Sequence, residues 1–303
     1  MKPKSDLTFR FFSIETYTDA TEIFYNKRLV DIGDNMDRFH PITEATNGKL
    51  NTTMLNKLGY DYATFGNNEG ITLDYKALSE LYNSATFQVL AANLLEKDKK
   101  RPEWLSPFSI ENIDGIRVGF IGVTVYYKLF YNLLGWDIID PFEAVEWCLQ
   151  ELKEKVDVII VLSHLGISDD EQLARRFPEL DVILGGHTHH VLPEGKMIGS
   201  TLLCGAGKHG AYIGEVTVSV EHNQTHKSCL LYSLLDVEPN VELEQEINDA
   251  YILAKKALGE PIVHIPNQLE SNWFASSPLA TMLAEALREW CKSDIVMVNN
   301  GVI

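Results

Sequence analysis

Short apolar runs rich in Val, Ile and Phe alternate along this chain with helical patterns of ten or more residues. This alternation is typical of βαβ units, in which parallel strands form a sheet and helices cover its faces. The sequence therefore predicts a layered α/β fold. The main strands are expected at 28–32, 62–65, 87–90, 116–123, 156–162 and 180–184, and the helices at 44–58, 75–84, 142–155 and 169–177.

Side chains suited to metal binding or proton transfer follow four of these predicted strands. They are Asp34, Asn67, His164 and the pair His187 and His189. Because ligands bind beyond the carboxyl ends of strands in open α/β sheets, we expect the four segments to meet at one site. Each residue alone is explained as a turn former or an ordinary histidine, but the set predicts a metal centre. An H-x-H in extended backbone directs both imidazoles to the same side.

The charge balance limits the partners of the chain. With 26 basic and 43 acidic residues, the net charge is −17. Such a charge repels phosphate backbones and anionic lipids, so we expect neither a nucleic-acid polymer nor a membrane as partner. The first residues lack the pattern of a signal peptide, and the four cysteines are too dispersed for a zinc knuckle and suit reduced thiols. These features favour a cytoplasmic protein.

The motifs stand in an order that resembles the calcineurin-like metallophosphoesterases of the 5′-nucleotidase/UDP-sugar hydrolase type. The matching motifs are GD-x-x-D at Asp34 and Asp37, GN at Asn67, SHLG at His164, and GHTH at His187 and His189. The phrases DIGD, GNNEGIT and GAGKHGAYIG are especially similar to a cytoplasmic bacterial subgroup. The resemblance implies a four-layered α/β/β/α metallophosphoesterase sandwich, followed by the start of a second α+β domain.

The resemblance also implies a role for each matching residue. Asp34 would bridge two divalent metal ions, Asn67, His164 and His187 would complete the second site, and His189 would belong to the first site. Two such ions polarise phosphoryl oxygens and activate water for in-line attack. The mixed ligands do not discriminate among Mn, Zn, Co, Fe and Mg.

Four further residues are candidates for catalysis or substrate contact. Asn68 and Asp37 are the candidate catalytic residues, and Lys208 and His209 are candidates for substrate binding. Much of the wider family has a histidine at the position of Asn68. An asparagine donates a hydrogen bond but does not act as a general acid near neutral pH. Glu69 is either a substitute acid or an exposed helix-cap carboxylate, and we expect the latter.

The first family motif, an Asp-x-His after the first strand, is missing. The first candidate strand, 7–14, leads to Glu15 and Asp19, which offer carboxylates, but the first histidine of the chain is His40. We therefore expect a shortened or replaced N-terminal segment and a first metal site that binds weakly. The chain would then bind one metal ion, whereas members of the family bind two.

The chain divides into four expected segments. They are a divergent N-terminal segment (1–27), the metallophosphoesterase domain (28–237), a connector helix (238–262) and a truncated start of the 5′-nucleotidase C-terminal domain (263–303). The first domain closes with a predicted hairpin of strands 215–220 and 229–235. The last segment contains a predicted helix at 276–291 and a strand at 294–298.

The function implied by the resemblance is metal-dependent hydrolysis of phosphate esters, with nucleotides or related small molecules as substrates. Two alternatives stay open. One is a degenerate homologue that binds one metal ion or none and has no turnover. The other is a 2′,3′-cyclic nucleotide phosphodiesterase, which shares every retained ligand. The number of metal ions bound per chain distinguishes the degenerate homologue from an active hydrolase. A substrate profile distinguishes the phosphodiesterase from a nucleotidase. The sequence leaves the oligomeric state open.

Overall fold

The computed structural model describes residues 7–11, 27–221, 224–259, 263–272 and 274–299. The chain divides into two compact units, Met1–Leu258 and Gly259–Ile303. The described strands are β1 (Leu7–Phe11), β2 (Lys27–Ile32), β3 (Tyr62–Thr64), β4 (Gln88–Leu90), β5 (Leu94–Glu96), β6 (Leu105–Ser106), β7 (Phe108–Ile113), β8 (Ile116–Thr124), β9 (Trp136–Ile138), β10 (Val158–His164), β11 (Val182–Gly185), β12 (Lys196–Ile198), β13 (Thr201–Cys204), β14 (Tyr212–Glu221) and β15 (Gln224–Ser233). The described helices are α1 (Pro41–Thr46), α2 (Lys49–Leu58), α3 (Asn67–Gly70), α4 (Tyr75–Leu81), α5 (Lys128–Leu134), α6 (Pro141–Leu152), α7 (Ile167–Arg176), α8 (Val241–Ala257) and α9 (Pro278–Cys291).

Two large sheets make up the centre of the first unit. The strand order is β15-β14-β1-β2-β3-β4-β6 in one sheet and β12-β13-β11-β10-β8-β7 in the other. The strands β1, β2, β3, β4 and β6 pair in parallel, as do β8, β10, β11 and β13. The predicted hairpin is the antiparallel pair β14 and β15. Strands β5 and β9 form a separate two-stranded sheet.

Alternation of side chains along the strands produces three apolar layers. In β10, Ile160 and Leu162 point into the core between the two sheets, where they join residues such as Val30 and Leu184. Val161 points the other way and joins a second cluster with α6 and α7. A third cluster joins the outer face of the first sheet to α2 and α4. Helices thus pack on the outer face of each sheet, which confirms the predicted α/β/β/α sandwich.

Two predicted elements differ from the structure. The predicted helix at 44–58 is two helices, because Asn47 and Gly48 both adopt left-handed backbone, with φ of 49° and 74°. The predicted strand at 294–298 is wrong, since these described residues form neither a strand nor a helix. A lone strand has no ladder partner to satisfy its backbone groups, and the described part of this unit offers none.

Helix α8 packs within the first unit. Lys57 of α2 forms an ion pair with Glu246 of α8, and the rings of His40 and Tyr251 lie 5.8 Å apart between centroids. The sequence interpretation made this stretch a connector.

In the second unit, α9 begins at a cap in which the Ser277 hydroxyl accepts a hydrogen bond from the Ala280 amide. No helix in the described ranges is both long and apolar enough to cross a lipid bilayer.

Gly122 generates a testable prediction about the contact between the sheets. The Gly122 carbonyl of β8 accepts a hydrogen bond of 2.7 Å from the Ala92 amide, and a Cβ at Gly122 would lie 2.0 Å from the Leu90 carbonyl oxygen. Because that neighbour is backbone, we expect Gly122→Ala to lower the free energy of unfolding by about 3 kcal/mol, at the upper end for overpacking.

The matched control is Gly119→Ala on the same strand. Its Cβ would meet the Leu152 Cδ1 atom at 3.1 Å, which is the movable end of a side chain. Urea unfolding of both variants measures the difference. Equal stability of the two variants would contradict a backbone contact between the sheets at Gly122.

Candidate metal centre

Asp34 follows β2 through a tight turn. Gly33 has a φ of 89° and Asp34 a φ of 58°, both in the left-handed region. A Cβ at Gly33 would lie 2.4 Å from the Gly66 amide nitrogen, so this position requires glycine. A non-glycine residue in left-handed backbone costs on the order of 1 kcal/mol and persists where its surroundings hold it. The turn thus directs the Asp34 carboxylate toward the loop that follows β3.

The loop after β3 contacts Asp34 directly. The backbone amide of Asn68 donates a 2.7 Å hydrogen bond to Oδ1 of Asp34. A Cβ at Gly66 would lie 2.2 Å from the same oxygen. The side-chain amide of Asn67 donates to Oδ1 of Asn68 at 3.1 Å, which turns the Asn67 Oδ1 atom toward His187.

Glu69 connects the loop after β2 with the loop after β3. Its carboxylate accepts hydrogen bonds from the amides of Asp34, Asn35 and Gly66, at 3.0, 3.0 and 2.8 Å. Burial, with Asp34 and Asp31 nearby, raises the pKa of Glu69 to about 8. The expectation of an exposed carboxylate was wrong, because Glu69 is 0% exposed, whereas the expected cap is present at the start of α3. It caps the backbone of two loops instead of facing solvent.

His164 ends β10 and is 1% exposed. Its Nδ1 atom lies 2.6 Å from the Ile32 carbonyl, which only accepts hydrogen bonds, so Nδ1 carries the hydrogen. Nε2 lies 3.2 Å from Oδ2 of Asp34 but has no hydrogen-bond partner. Burial lowers the pKa of His164, but the Asp34 carboxylate, with the Ile32 carbonyl and Glu69, brings it above its usual value. Burial opposes the ionisation of Asp34, yet the imidazole keeps the Asp34 pKa below its usual value.

His187 follows β11 in a turn. Its φ is 66° and that of His189 is 56°, so the expected extended H-x-H is wrong: the strand ends at Gly185. The Nδ1 atom of His187 lies 2.9 Å from Oδ1 of Asn67. Burial and the neighbouring His164 lower the pKa of His187, which favours the neutral imidazole that binds metals.

The three side chains converge. One ligand atom from each of Asp34, His164 and His187 lies within 4.8 Å of the others, and Oδ1 of Asn67 adjoins His187. Carboxylate, amide and imidazole atoms together form a donor set for divalent metals. The buried Nε2 atom of His164, which faces a carboxylate without a hydrogen bond, is best satisfied by a cation. The residues present therefore fit a divalent ion.

The remaining predicted residues lie around or away from this group. His189 is exposed and outside it, and burial and the Lys208 ammonium lower its pKa, with a smaller contribution from His209. Lys208 and His209 thus act on His189 from an exposed turn. Asp37 is exposed, and its Oδ1 atom accepts a 2.9 Å hydrogen bond from the Phe39 amide, as in a turn. Glu15 and Asp19 fall outside the described residues.

Tyr127 was missed by the sequence interpretation. Its hydroxyl lies 3.2 Å from Nε2 of His187. The signal was present, because Tyr126 and Tyr127 follow a predicted buried strand, as the other site residues do. In the sheet, Thr124 at the end of β8 pairs with His164 at the end of β10, which brings the following residues to the same edge.

Comparison with known proteins identifies the family. The sequence pattern of the calcineurin-like phosphoesterases matches residues 5–191. The chain belongs to this family. The members use divalent metals, in agreement with the donor set of Asp34, His164 and His187. Family membership makes the chain a phosphoesterase-type hydrolase by similarity.

The chain spans only part of the length of the relatives that it matches. It is 42% identical over 278 residues to the uncharacterized metallophosphoesterase YunD of Bacillus subtilis, across 90% of this chain and 60% of YunD. It is 27% identical over 310 residues to the trifunctional nucleotide phosphoesterase protein YfkN of the same species, across 85% of this chain and 21% of YfkN.

Among solved structures, the putative 5′-nucleotidase from Staphylococcus aureus in complex with alpha-ketoglutarate shares the fold. Its TM-score is 0.78 at 18% identity, over 96% of this chain and 67% of that chain. The chain therefore shares the fold of that protein over nearly its whole length.

Glu69→Gln tests whether one carboxylate holds both loops. An amide replaces one acceptor oxygen by a donor, which then faces a backbone N–H. We expect a loss of about 1–3 kcal/mol in the free energy of unfolding, as for a buried unsatisfied polar group. Glu143→Gln, in the exposed first turn of α6, is the control and should leave stability within about 0.5 kcal/mol. Urea unfolding at a pH above the Glu69 pKa of about 8 compares the two variants with Glu69 ionised. A Glu69→Gln variant as stable as the unmodified chain under these conditions would contradict this role.

Proposed function

We propose that this chain is a metal-dependent phosphoester hydrolase that acts on nucleotides or related small phosphate esters. The observation that carries the proposal is the convergence of Asp34, His164 and His187 within 4.8 Å, with Asn67 beside them. These residues come from the ends of four separate strands, so local structure alone does not explain their meeting. Family membership supplies the reaction class.

The proposed ligands are Asp34, Asn67, His164 and His187 for one ion, with Asp34 and His189 contributing to a second. When bound, divalent ions polarise a phosphoryl oxygen and activate water. Asp34 offers its two carboxylate oxygens on different sides: Oδ1 accepts the Asn68 amide, and Oδ2 faces His164. The donor set is compatible with Mn, Zn, Co, Fe or Mg.

Other side chains of the site have roles in binding the phosphate. Asn68 lies next to the ligand Asn67, and its amide group donates hydrogen bonds without supplying a proton. Lys208 is exposed near His189, and its positive charge attracts a small anion locally. We assign Asn68 to stabilisation of the reacting phosphate and Lys208 with His209 to substrate binding. Asp37 stays the second catalytic candidate, although its contacts are those of a turn.

A small nucleotide is the substrate class that we favour over a polymer. The chain carries a net charge of −17, which repels an extended phosphate backbone. The name of its relative YfkN includes nucleotide phosphoesterase activity. We further propose that residues 28–237 form the catalytic domain, that 238–262 leads from it with α8 packed within the first unit, and that 263–303 belong to a second domain. The four free cysteines support a cytoplasmic location.

A degenerate homologue with one metal ion or none is the second candidate. The observation that favours it lies in the sequence: no histidine precedes His40, so the Asp-x-His of the first metal site is missing. A two-metal mechanism requires both sites to be filled. Metal content and turnover, measured on the same preparation, separate the two candidates.

The proposal predicts metal-dependent release of phosphate from AMP and from an aryl phosphate. Asp34→Asn and His187→Ala should each reduce this rate by at least about a hundredfold, because each removes a ligand that the reaction needs. The rate is measured with Mn²⁺ and after EDTA treatment. A parallel assay with 2′,3′-cyclic AMP tests the phosphodiesterase alternative.

The control is His226→Ala, which removes an exposed imidazole on β15. This variant should retain the activity of the unmodified chain. Activity that survives in Asp34→Asn would contradict the proposed centre. Bound metal without turnover in the unmodified chain would instead favour the degenerate homologue.

A further inference from the structure

His187 makes a different contact with each of its ring nitrogens. Nδ1 lies 2.9 Å from Oδ1 of Asn67, on the side of the candidate metal centre. Nε2 lies 3.2 Å from the hydroxyl of Tyr127, on the other side. The two rings meet nearly edge to face, with centroids 6.0 Å apart and an interplanar angle of 71°. Tyr127 therefore contacts His187 but is not one of the proposed ligands.

The hydrogen bond at Nε2 decides what Nδ1 can do. An imidazole offers a lone pair at one nitrogen only when its hydrogen is on the other. Oδ1 of Asn67 only accepts, so in the contact that the structure records Nδ1 carries the hydrogen and the Tyr127 hydroxyl donates to Nε2. An ion at Nδ1 requires the hydrogen on Nε2, which then donates to the same Tyr127 oxygen. A hydroxyl both donates and accepts, so Tyr127 satisfies either tautomer. A phenyl ring at this position does neither.

The two ring nitrogens of His164 also make separate contacts, but the roles of Nδ1 and Nε2 are exchanged. Its Nδ1 atom donates to the Ile32 carbonyl at 2.6 Å, and its Nε2 atom faces Asp34. Histidines that bind metals usually donate their other N–H to an oxygen, which orients the ring and fixes the tautomer. The backbone provides that oxygen for His164. For His187 the oxygen comes from a side chain, so it can be removed by mutation.

The fold holds Tyr127 in place. Residue 127 is the N-cap of α5, three residues after the last residue of β8. Helix α5 is anchored by Tyr131, which is fully buried, donates its backbone amide to the Tyr127 carbonyl at 3.1 Å, and has its hydroxyl 3.4 Å from that of Thr124. The backbone of Tyr127 is thus held by a buried neighbour.

We propose that Tyr127 is a positioning residue for the metal centre: its hydroxyl accepts the Nε2 hydrogen of His187 and thereby presents Nδ1 to the ion. The inference rests on the metal centre of the proposed function. Tyr127 makes no catalytic contact in this proposal, and the affinity of the centre for the ion depends on its hydroxyl.

The test is Tyr127→Phe, which removes the hydroxyl and keeps the ring. After EDTA treatment and dialysis, Mn²⁺ is titrated into the full chain by calorimetry, and Co²⁺ is added separately to record its visible absorption spectrum. We expect the Kd for Mn²⁺ to rise about 10- to 100-fold, as for other groups that orient a metal ligand. We also expect the Co²⁺ spectrum to change, because His187 is free to rotate.

Tyr126→Phe is the matched control. Tyr126 and Tyr127 are neighbours with 39% and 38% exposure, so both variants lose one hydroxyl from a similar surface position. Tyr126→Phe should bind Mn²⁺ like the unmodified chain. An unchanged Kd and spectrum in Tyr127→Phe would overturn the inference while leaving the metal centre intact. Failure of the unmodified chain to bind either ion would overturn the metal centre, and the inference with it.

Discussion

The geometry of the candidate centre depends on one buried carboxylate. Glu69 accepts hydrogen bonds from three backbone amides, two in the loop after β2 and one in the loop after β3. Asp34 returns the contact by accepting the Asn68 amide. Backbone groups in tight turns have no ladder partners, so without this pairing they would be buried and unsatisfied. The two carboxylates together fix the distance between the segments that carry Asp34 and Asn67.

Three residues at the same edge of the sheets have left-handed backbone. Asp34, His187 and His189 all have positive φ, of 58°, 66° and 56°. Left-handed backbone is unfavourable for such residues and clusters at functional sites. The cost is offset here by the surrounding sandwich, whose apolar layers hold the strands on either side. The rigid scaffold thus holds the strained loops in place. Such loops can arrange metal ligands before a metal ion binds.

Much of this arrangement was predictable, because the strands ended in polar side chains and parallel strands share an edge. That reasoning identified Asp34, Asn67, His164 and His187. The same reasoning did not predict features that depend on tertiary contacts. The burial of Glu69 follows from the packing of two loops, and the contact of Tyr127 follows from the register of β8 against β10. The break at Asn47-Gly48 had a local signal, whereas the predicted strand at 294–298 had an apolar pattern but has no ladder partner in the described part of its unit.

The most direct measurement is a crystal structure of the chain grown with Mn²⁺, with an anomalous difference map collected near the manganese edge. We expect a peak within bonding distance of four groups: the Asp34 carboxylate, Oδ1 of Asn67, Nε2 of His164 and Nδ1 of His187. A second peak beside His189 would show that both sites are filled. Absence of anomalous density at these four side chains, at a concentration of Mn²⁺ that saturates the crystal, would contradict the account.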